Sequence, residues 1–237
     1  MKWCKWSSLL CLALACVGAA PLSADQPREA QPEPDWLSLV GLYPYPHTVT
    51  GQGEQAVLLW LQMSRTAQDV ARASYEHTPS FGCYCQDIHL PSGPRLMERR
   101  ISIQDFPLTI AVLDQAKADL LPIIQSLQTL YSRPRPNLVF PAVQPVISEG
   151  GTACYPSTNA ALGVVFAEIL GQYDKYDLPA FKITGGLIGT DRVLGGVHYP
   201  SCVTAGQRLG KAFATWWIDN HLALIQTACP EWGWRPS

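Results

Sequence analysis

Apolar residues in the segment 54–77, "EQAVLLWLQMSRTAQDVARASYEH", recur at three- and four-residue spacing. This spacing is typical of an amphipathic helix, because residues three or four apart share one face. The pattern therefore predicts a helix in which Trp60, Met63, Ala67 and Val70 fall on one face.

A second helix is predicted over about 104–131, where an apolar stripe again follows the helical period. Pro122 lies inside this stretch and either kinks the helix or restarts it. The stripe consists of Leu113, Ala116, Leu120, Ile124, Leu127 and Leu130.

Three more helices are predicted in the C-terminal half. Ser157 can cap a helix that runs to about Gln172 and is apolar nearly all round, which indicates a buried helix. Another helix covers about 177–194. Pro200 suits the first position of the last helix, in which the apolar residues Leu209, Phe213 and Trp216 recur.

The segments between these helices are rich in proline, glycine and polar residues. We expect an extended arm over 25–53, a loop over 78–102 and a proline-rich connection over 132–156. No alternating pattern indicates a strand. The sequence therefore predicts one all-α domain over 54–237, a compact helical bundle with loops gathered around a site.

The N-terminus has the layout of a secretory signal peptide over residues 1–24: two lysines, an apolar run from Leu9 to Ala20, and small residues before cleavage after Ala24. The alternative is lipoprotein processing at Cys16. No later apolar run has transmembrane length. We expect a periplasmic or secreted protein without stable membrane insertion.

The net charge narrows the classes of molecule that the protein is expected to bind. Removing Lys2 and Lys5 with the leader lowers the Lys and Arg count from 17 to 15 against 19 acids, a net charge of −4. This sign disfavours nucleic acid, so an anionic ligand would need a local cationic pocket. Homo-oligomer formation is left open.

The mature chain keeps five cysteines, namely Cys83, Cys85, Cys154, Cys202 and Cys229. Since five is odd, at least one is free or pairs outside the chain. The one-residue spacing of "GCYC" does not suit a metal site, and no cofactor is expected.

Three short blocks carry candidate chemistry: "QTLYSRPRP", "CYPSTN" and "DRVLGGVHYPSC". Guanidinium groups bind phosphate oxygens through paired donors, and the first helical turn offers free N–H groups to an anion. Together the blocks resemble the phosphatidic-acid phosphatase type 2 (PAP2) superfamily, and within it the exported class A acid phosphatases. The family signature K-x6-R-P, P-S-G-H and S-R-x5-H-x3-D aligns with Gln128-x6-Arg135-Pro136, with Pro156-Ser157-Thr158-Asn159 and with Asp191-Arg192-x5-His198-x3-Cys202.

The resemblance implies the acid phosphatase/vanadium haloperoxidase type of bundle and metal-independent hydrolysis of small phosphorylated substrates through a phosphohistidine. By position, His198 would be the nucleophile. The phosphate group would be held by Gln128, Arg135, Ser157, Thr158 and Arg192. Arg133 has no family role and is expected to be a surface or supporting arginine.

Three positions depart from the signature. Gln128 replaces a lysine and loses a positive charge. Asn159 replaces the histidine that protonates the leaving group, and losing a general acid typically costs ~10²–10⁴ in rate. Cys202 replaces the aspartate that orients the nucleophile.

Cys202 has several interpretations. In the first turn of a helix its thiol pKa would fall, and a thiolate could accept the His198 N–H in place of the carboxylate. The alternatives, which we favour, are a buried apolar cysteine or a disulfide with Cys154. Asp191 is expected to be a local partner of Arg192.

The sequence thus favours an exported acid phosphatase with altered or impaired proton transfer. A non-catalytic phosphate-binding relative of the same fold is the main alternative. Vanadate-dependent haloperoxidase chemistry fits less well, because the lysine of the first block is missing.

Overall fold

Residues 30–75, 104–148, 150–151 and 153–233 are described in a computed structural model. They form nine α-helices and one 3₁₀ turn, with no strand among these residues beyond an isolated bridge between Pro134 and Ala153. The all-α prediction is confirmed. The predicted signal peptide and the 78–102 loop lie outside the described residues.

The helices follow one another in chain order around a buried centre. They are α1 Trp36–Val40, α2 Val49–Ser64, α3 Ala67–Tyr75, α4 Pro107–Tyr131, α5 Pro136–Val139, α6 Thr158–Tyr173, α7 Leu178–Leu194, α8 Pro200–Asn220 and α9 Leu222–Thr227, followed by the 3₁₀ turn Cys229–Trp232.

The arm predicted over 25–53 is in part helical. Asp35 caps α1 by accepting from the N–H groups of Leu37 and Ser38. Thr48 caps α2, which begins five residues before the predicted start. Short polar caps of this kind start helices inside a proline-rich segment that composition alone assigns to a loop.

The single helix predicted over 54–77 is wrong, because the chain breaks at Arg65, whose backbone is extended. A capping box starts the new helix: Thr66 Oγ1 accepts from the Asp69 N–H, and Asp69 accepts from the Thr66 N–H. The apolar face that includes Trp60 and Met63 does not lie in the core, since both side chains are exposed. The buried face of α2 carries Gly51, Glu54 and Leu58.

Helix α4 matches the predicted 104–131 helix and runs unbroken through Pro122. Its predicted stripe is buried from Leu113 to Leu127, whereas Leu130 at the C-terminal end is exposed. At its N-terminus the Glu231 carboxylate accepts from the N–H groups of Leu108 and Thr109. A residue of the 3₁₀ turn thus stabilises the start of a helix more than a hundred residues earlier.

The predictions for α6, α7 and α8 are confirmed. The sequence did not predict α9 and the 3₁₀ turn, which follow α8. Helix α6 is buried along most of its length and packs on both α7 and α8. Small residues allow this approach: Gly163 of α6 meets the backbone of Gly185 in α7, and Gly210 of α8 meets that of Ala161. The close packing brings the N-termini of α6 and α8 together.

We expect Gly163→Ala to lower the free energy of unfolding by about 1–3 kcal/mol, because a Cβ at this position would overlap the Gly185 carbonyl oxygen. Gly186→Ala, one residue further along α7, is the matched control. A Cβ there meets nothing within 4 Å, so the gain in helix propensity should leave stability unchanged or raised. Equal midpoints of denaturant unfolding for the two variants would contradict the packing argument.

Candidate functional site

The three sequence blocks meet at His198. The Arg135 Nη1 of the first block lies 2.9 Å from His198 Nε2, and the carbonyl oxygen of Cys154 in the second block lies 3.0 Å from His198 Nδ1. Backbone bonds support the meeting: the Cys154 N–H donates to Arg133 O, and the Ser157 N–H donates to Cys202 O, both at 2.9 Å. Residues more than sixty positions apart therefore form one cluster.

Hydrogen bonding defines the tautomer of His198. A guanidinium can only donate, so Nε2 facing Arg135 must accept. Nδ1 then carries the proton and donates to the Cys154 carbonyl. The imidazole is 2% exposed. Its orientation is fixed through Nδ1 and its Nε2 lone pair faces Arg135, which suits a histidine that acts as a nucleophile once that contact opens.

Arg135 lies between His198 and an open cleft of about 610 Å³. Its guanidinium also donates to the carbonyl oxygens of Gly150, Gly151 and Val197, at 3.1 to 3.2 Å. The cleft is lined by Arg135, Asn137, Leu138, Pro145, Val146, Ile147, Ser148, Gly151 and Val197. A positive charge thus borders a cleft whose walls carry both apolar and polar groups.

The second block surrounds the N-terminus of α6. Ser157 caps this helix by accepting from the Ala160 N–H. Gln128 donates from Nε2 to the Pro156 carbonyl at 2.9 Å and to Thr158 Oγ1 at 3.2 Å. Gln128, predicted to bind phosphate, therefore joins the first block to the second, and Asn159 is buried beside this junction.

Arg192 is fully buried and donates from Nη2 to the Ala73 carbonyl at 2.8 Å. Its own carbonyl accepts from the N–H groups of Val197 and His198, so it shapes the loop that carries the histidine. The prediction that Asp191 pairs with Arg192 is wrong. The Asp191 carboxylate accepts two bonds from Arg72 of α3, at 2.7 and 2.8 Å.

Arg133 is buried at 3% exposure, so of its two predicted roles the surface arginine is wrong and the supporting arginine fits the structure. It forms an ion pair with Glu54 of α2 at 2.8 Å and donates to Ser201 Oγ at 2.6 Å. The guanidinium carbon also lies 3.8 Å from the ring centre of Tyr199. The sequence did not predict this ion pair, because Glu54 lies 79 positions upstream of Arg133.

The sulfur atoms of Cys154 and Cys202 lie 3.1 Å apart, both buried and not bonded as a disulfide. Cys202 is therefore buried and free of a disulfide, and the Nδ1 hydrogen bond of His198 goes to the Cys154 carbonyl and not to the Cys202 sulfur. The Arg133 Nη1 lies 3.4 Å from Cys202 Sγ. A ring nitrogen of His198 and the two sulfurs, all within 4.8 Å, form the group of potential metal ligands found among the described residues.

Comparison of the sequence with models of protein families and with curated proteins finds no match. Among solved structures, the chain is similar to the first transmembrane PAP2 type phosphatidylglycerolphosphate phosphatase from Bacillus subtilis. The TM-score is 0.52 at 16% identity, over 79% of this chain and 92% of that chain.

The chain therefore has the PAP2-type fold, as the three blocks predict. Within the described residues, no helix combines the length and apolarity needed to cross a bilayer.

Proposed function

We propose that the protein is an exported phosphatase that hydrolyses phosphomonoesters through a phosphohistidine formed on His198. The observation that carries this proposal is the pair of hydrogen bonds on the imidazole. The Cys154 carbonyl oxygen accepts a hydrogen bond from the Nδ1–H of His198. The Nε2 lone pair faces Arg135, which borders the cleft. The PAP2-type fold supports a phosphatase-type function independently.

The proposed reaction has two displacements. The hydrogen bond from Arg135 to His198 Nε2 breaks, and Nε2 attacks phosphorus as the phosphorus–oxygen ester bond breaks. The leaving oxygen departs with the bonding electrons as an alkoxide or phenolate, which takes its proton from water. Water then attacks the phosphohistidine and releases inorganic phosphate. Arg135 would stabilise the charge on the phosphoryl oxygens during both steps, together with Arg192, Ser157, Thr158 and the first N–H groups of α6.

Proton transfer would be altered, since Asn159 cannot protonate the leaving oxygen. Absence of a general acid typically costs ~10²–10⁴ in rate, and less for a leaving group that is already a weak base. The Cys154 carbonyl orients His198 but carries no full negative charge to stabilise the imidazolium. We therefore propose an enzyme that is slow towards alkyl phosphates.

The cleft suggests the substrate class. Apolar side chains such as Leu138, Val146 and Ile147 line it next to the Arg135 guanidinium. This combination suits a phosphate monoester whose alcohol has an apolar part. A phosphorylated lipid headgroup, the substrate type named for the B. subtilis structure, belongs to this class.

The test is hydrolysis by the purified protein, with a metal chelator present, of p-nitrophenyl phosphate, an alkyl phosphate and a short-chain phosphatidylglycerolphosphate. We expect turnover of all three, with the alkyl phosphate slowest. Acid-labile phosphate should be trapped on the peptide that carries His198. Asn159→His should narrow the gap between alkyl and nitrophenyl phosphate about tenfold or more.

Absence of both turnover and trapped phosphate would contradict the proposal. Turnover without a phosphorylated His198 peptide would contradict the mechanism alone. Export is tested separately by sequencing the N-terminus of the mature protein, which should begin at Asp25.

The second candidate function is a phosphate-binding protein without catalysis. It is favoured by the asparagine at position 159, buried where the signature has its proton donor. Binding of phosphate or vanadate, measured by calorimetry, without turnover of any of the three esters would support it.

A further inference from the structure

Cys154 and Cys202 carry two adjacent thiols that the proposed hydrolysis does not use. Their sulfurs lie 3.1 Å apart, which is shorter than two sulfur atoms approach without interacting, and neither is exposed to solvent. Cys154 precedes α6, whereas Cys202 lies in the first turn of α8. Two thiols from separate segments of the chain are thus held next to each other, in position to form a bond.

The surroundings favour a thiolate on Cys202. Burial raises the pKa of this thiol, but the hydrogen bond from Cys154 and the positive charge of Arg133 outweigh burial and lower it. Burial and the neighbouring Cys202 raise the pKa of Cys154. Cys154 therefore keeps its proton and donates it towards the Cys202 sulfur, and the Arg133 Nη1 lies 3.4 Å from that sulfur.

The remaining groups around the pair complete the charge balance. Glu54 opposes Arg133 at 2.8 Å, and Ser201 donates its N–H to the other oxygen of the same carboxylate at 2.7 Å. The ion pair holds the guanidinium in place beside the sulfur. A nucleophilic thiolate next to a protonated thiol is the arrangement of a redox-reactive cysteine with its resolving partner.

A metal ion fits this cluster less well. Two thiolates on a tetrahedral zinc ion, each at about 2.3 Å, would lie about 3.7 Å apart, whereas these sulfurs lie at 3.1 Å. A cation would also meet the Arg133 guanidinium. The geometry favours a sulfur–sulfur bond over shared coordination.

We propose that Cys202 and Cys154 form a covalent oxidation site for hydroperoxides. The Cys202 thiolate attacks the peroxide, the O–O bond breaks, and Cys202 sulfenic acid and a hydroxide or alkoxide ion result. The Cys154 thiol then attacks the sulfenic sulfur, its proton leaves with the hydroxyl group as water, and a disulfide forms. Two thiols are oxidised by two electrons, and one peroxide is reduced.

Burial selects the oxidant. Both cysteines are 0% exposed, so a bulky disulfide such as oxidised glutathione has no surface from which to reach the sulfur, whereas hydrogen peroxide is small and neutral. The chemistry of this site does not depend on phosphatase activity. Any consequence of oxidation for His198 as a nucleophile rests on the proposed function, because the Cys154 carbonyl accepts the hydrogen bond from His198 Nδ1.

The test is exposure of the reduced full-length protein to hydrogen peroxide, followed by alkylation under denaturing conditions and peptide mass spectrometry. We expect a linked peptide pair containing Cys154 and Cys202, lighter than the two thiol peptides by two hydrogens. In Cys154→Ser, the Cys202 sulfenic acid should persist and react with dimedone. Cys229→Ser, which removes a half-buried cysteine outside the cluster, should form the link at the parental rate.

Three results would overturn the proposal. The first is complete alkylation of both cysteines after peroxide treatment, under conditions that oxidise Cys229. The second is faster reaction of Cys202 with oxidised glutathione than with peroxide. The third is stoichiometric zinc in the purified protein that is lost in Cys154→Ser. None of these readouts depends on phosphatase activity, so their failure leaves the phosphatase proposal untouched.

Discussion

Replacing His198 by alanine is expected to lower phosphomonoester hydrolysis by about 10³-fold or more, as removal of a covalent nucleophile does in other enzymes. Nε2 is the atom that we propose to attack phosphorus, and an alanine offers no substitute. The measurement is the steady-state rate with p-nitrophenyl phosphate. Free imidazole, entering the cavity that the buried side chain leaves, should restore part of the rate.

Two controls separate chemistry from structure. His198→Gln keeps a side chain that can accept from Arg135 and donate to the Cys154 carbonyl, but it has no nucleophilic nitrogen, so it should fold and be inactive. His47→Ala removes an exposed histidine that stacks on Tyr45 and should keep parental activity. An active His198→Gln variant would show that His198 positions the site without forming a phosphohistidine.

Replacing Arg133 by methionine is expected to lower the free energy of unfolding by about 3–5 kcal/mol, the usual cost of leaving one member of a buried ion pair without its partner. Glu54 would remain buried in α2, keeping its hydrogen bond from the Ser201 N–H but losing its positively charged partner. Burial lowers the pKa of Arg133, but attraction to Cys202 and Glu54 outweighs this and raises it. The measurement is the midpoint of urea unfolding.

Arg133→Met combined with Glu54→Leu should recover most of this loss, because replacing both members of a buried pair by apolar residues is often neutral. Lys211→Met removes an ion pair with Glu168 in which the lysine is 56% exposed, and it should cost no more than about 1 kcal/mol. If Arg133→Met costs as little as Lys211→Met, the buried pair is not a stabilising centre. If Arg133→Met does not fold, folding of the double variant tests the same point.

The helices that the sequence predicts correctly are those whose signals are local. Helix α6 has a serine cap and an apolar surface all round, α8 has a proline at its first position, and α4 has a long stripe of regular period. Each signal acts within one or two turns, so it survives whatever the helix packs against. The fold class follows from these helices together with the absence of alternating patterns.

Helix α2 shows where local signals fail. Its buried face carries Gly51, Glu54 and Leu58, and its exposed face carries Trp60 and Met63. Hydrophobicity assigns the large apolar side chains to the core, but Glu54 is drawn inward by Arg133, and Gly51 lies against the backbone of Tyr45 and Pro46. A tertiary ion pair and a close backbone contact thus override the pattern.

The sequence by itself determines the all-α class, the main helices and the three blocks that point to His198 and Arg135. Only the tertiary structure decides that the Cys154 carbonyl accepts the hydrogen bond from His198 Nδ1 and that Arg133 is paired with Glu54. It also brings together two cysteines that lie 48 positions apart in the chain. The physical reason is that periodicity and capping act between neighbours in the chain. Hydrogen bonds, ion pairs and sulfur contacts depend on distances that are set only when α6, α7 and α8 pack together.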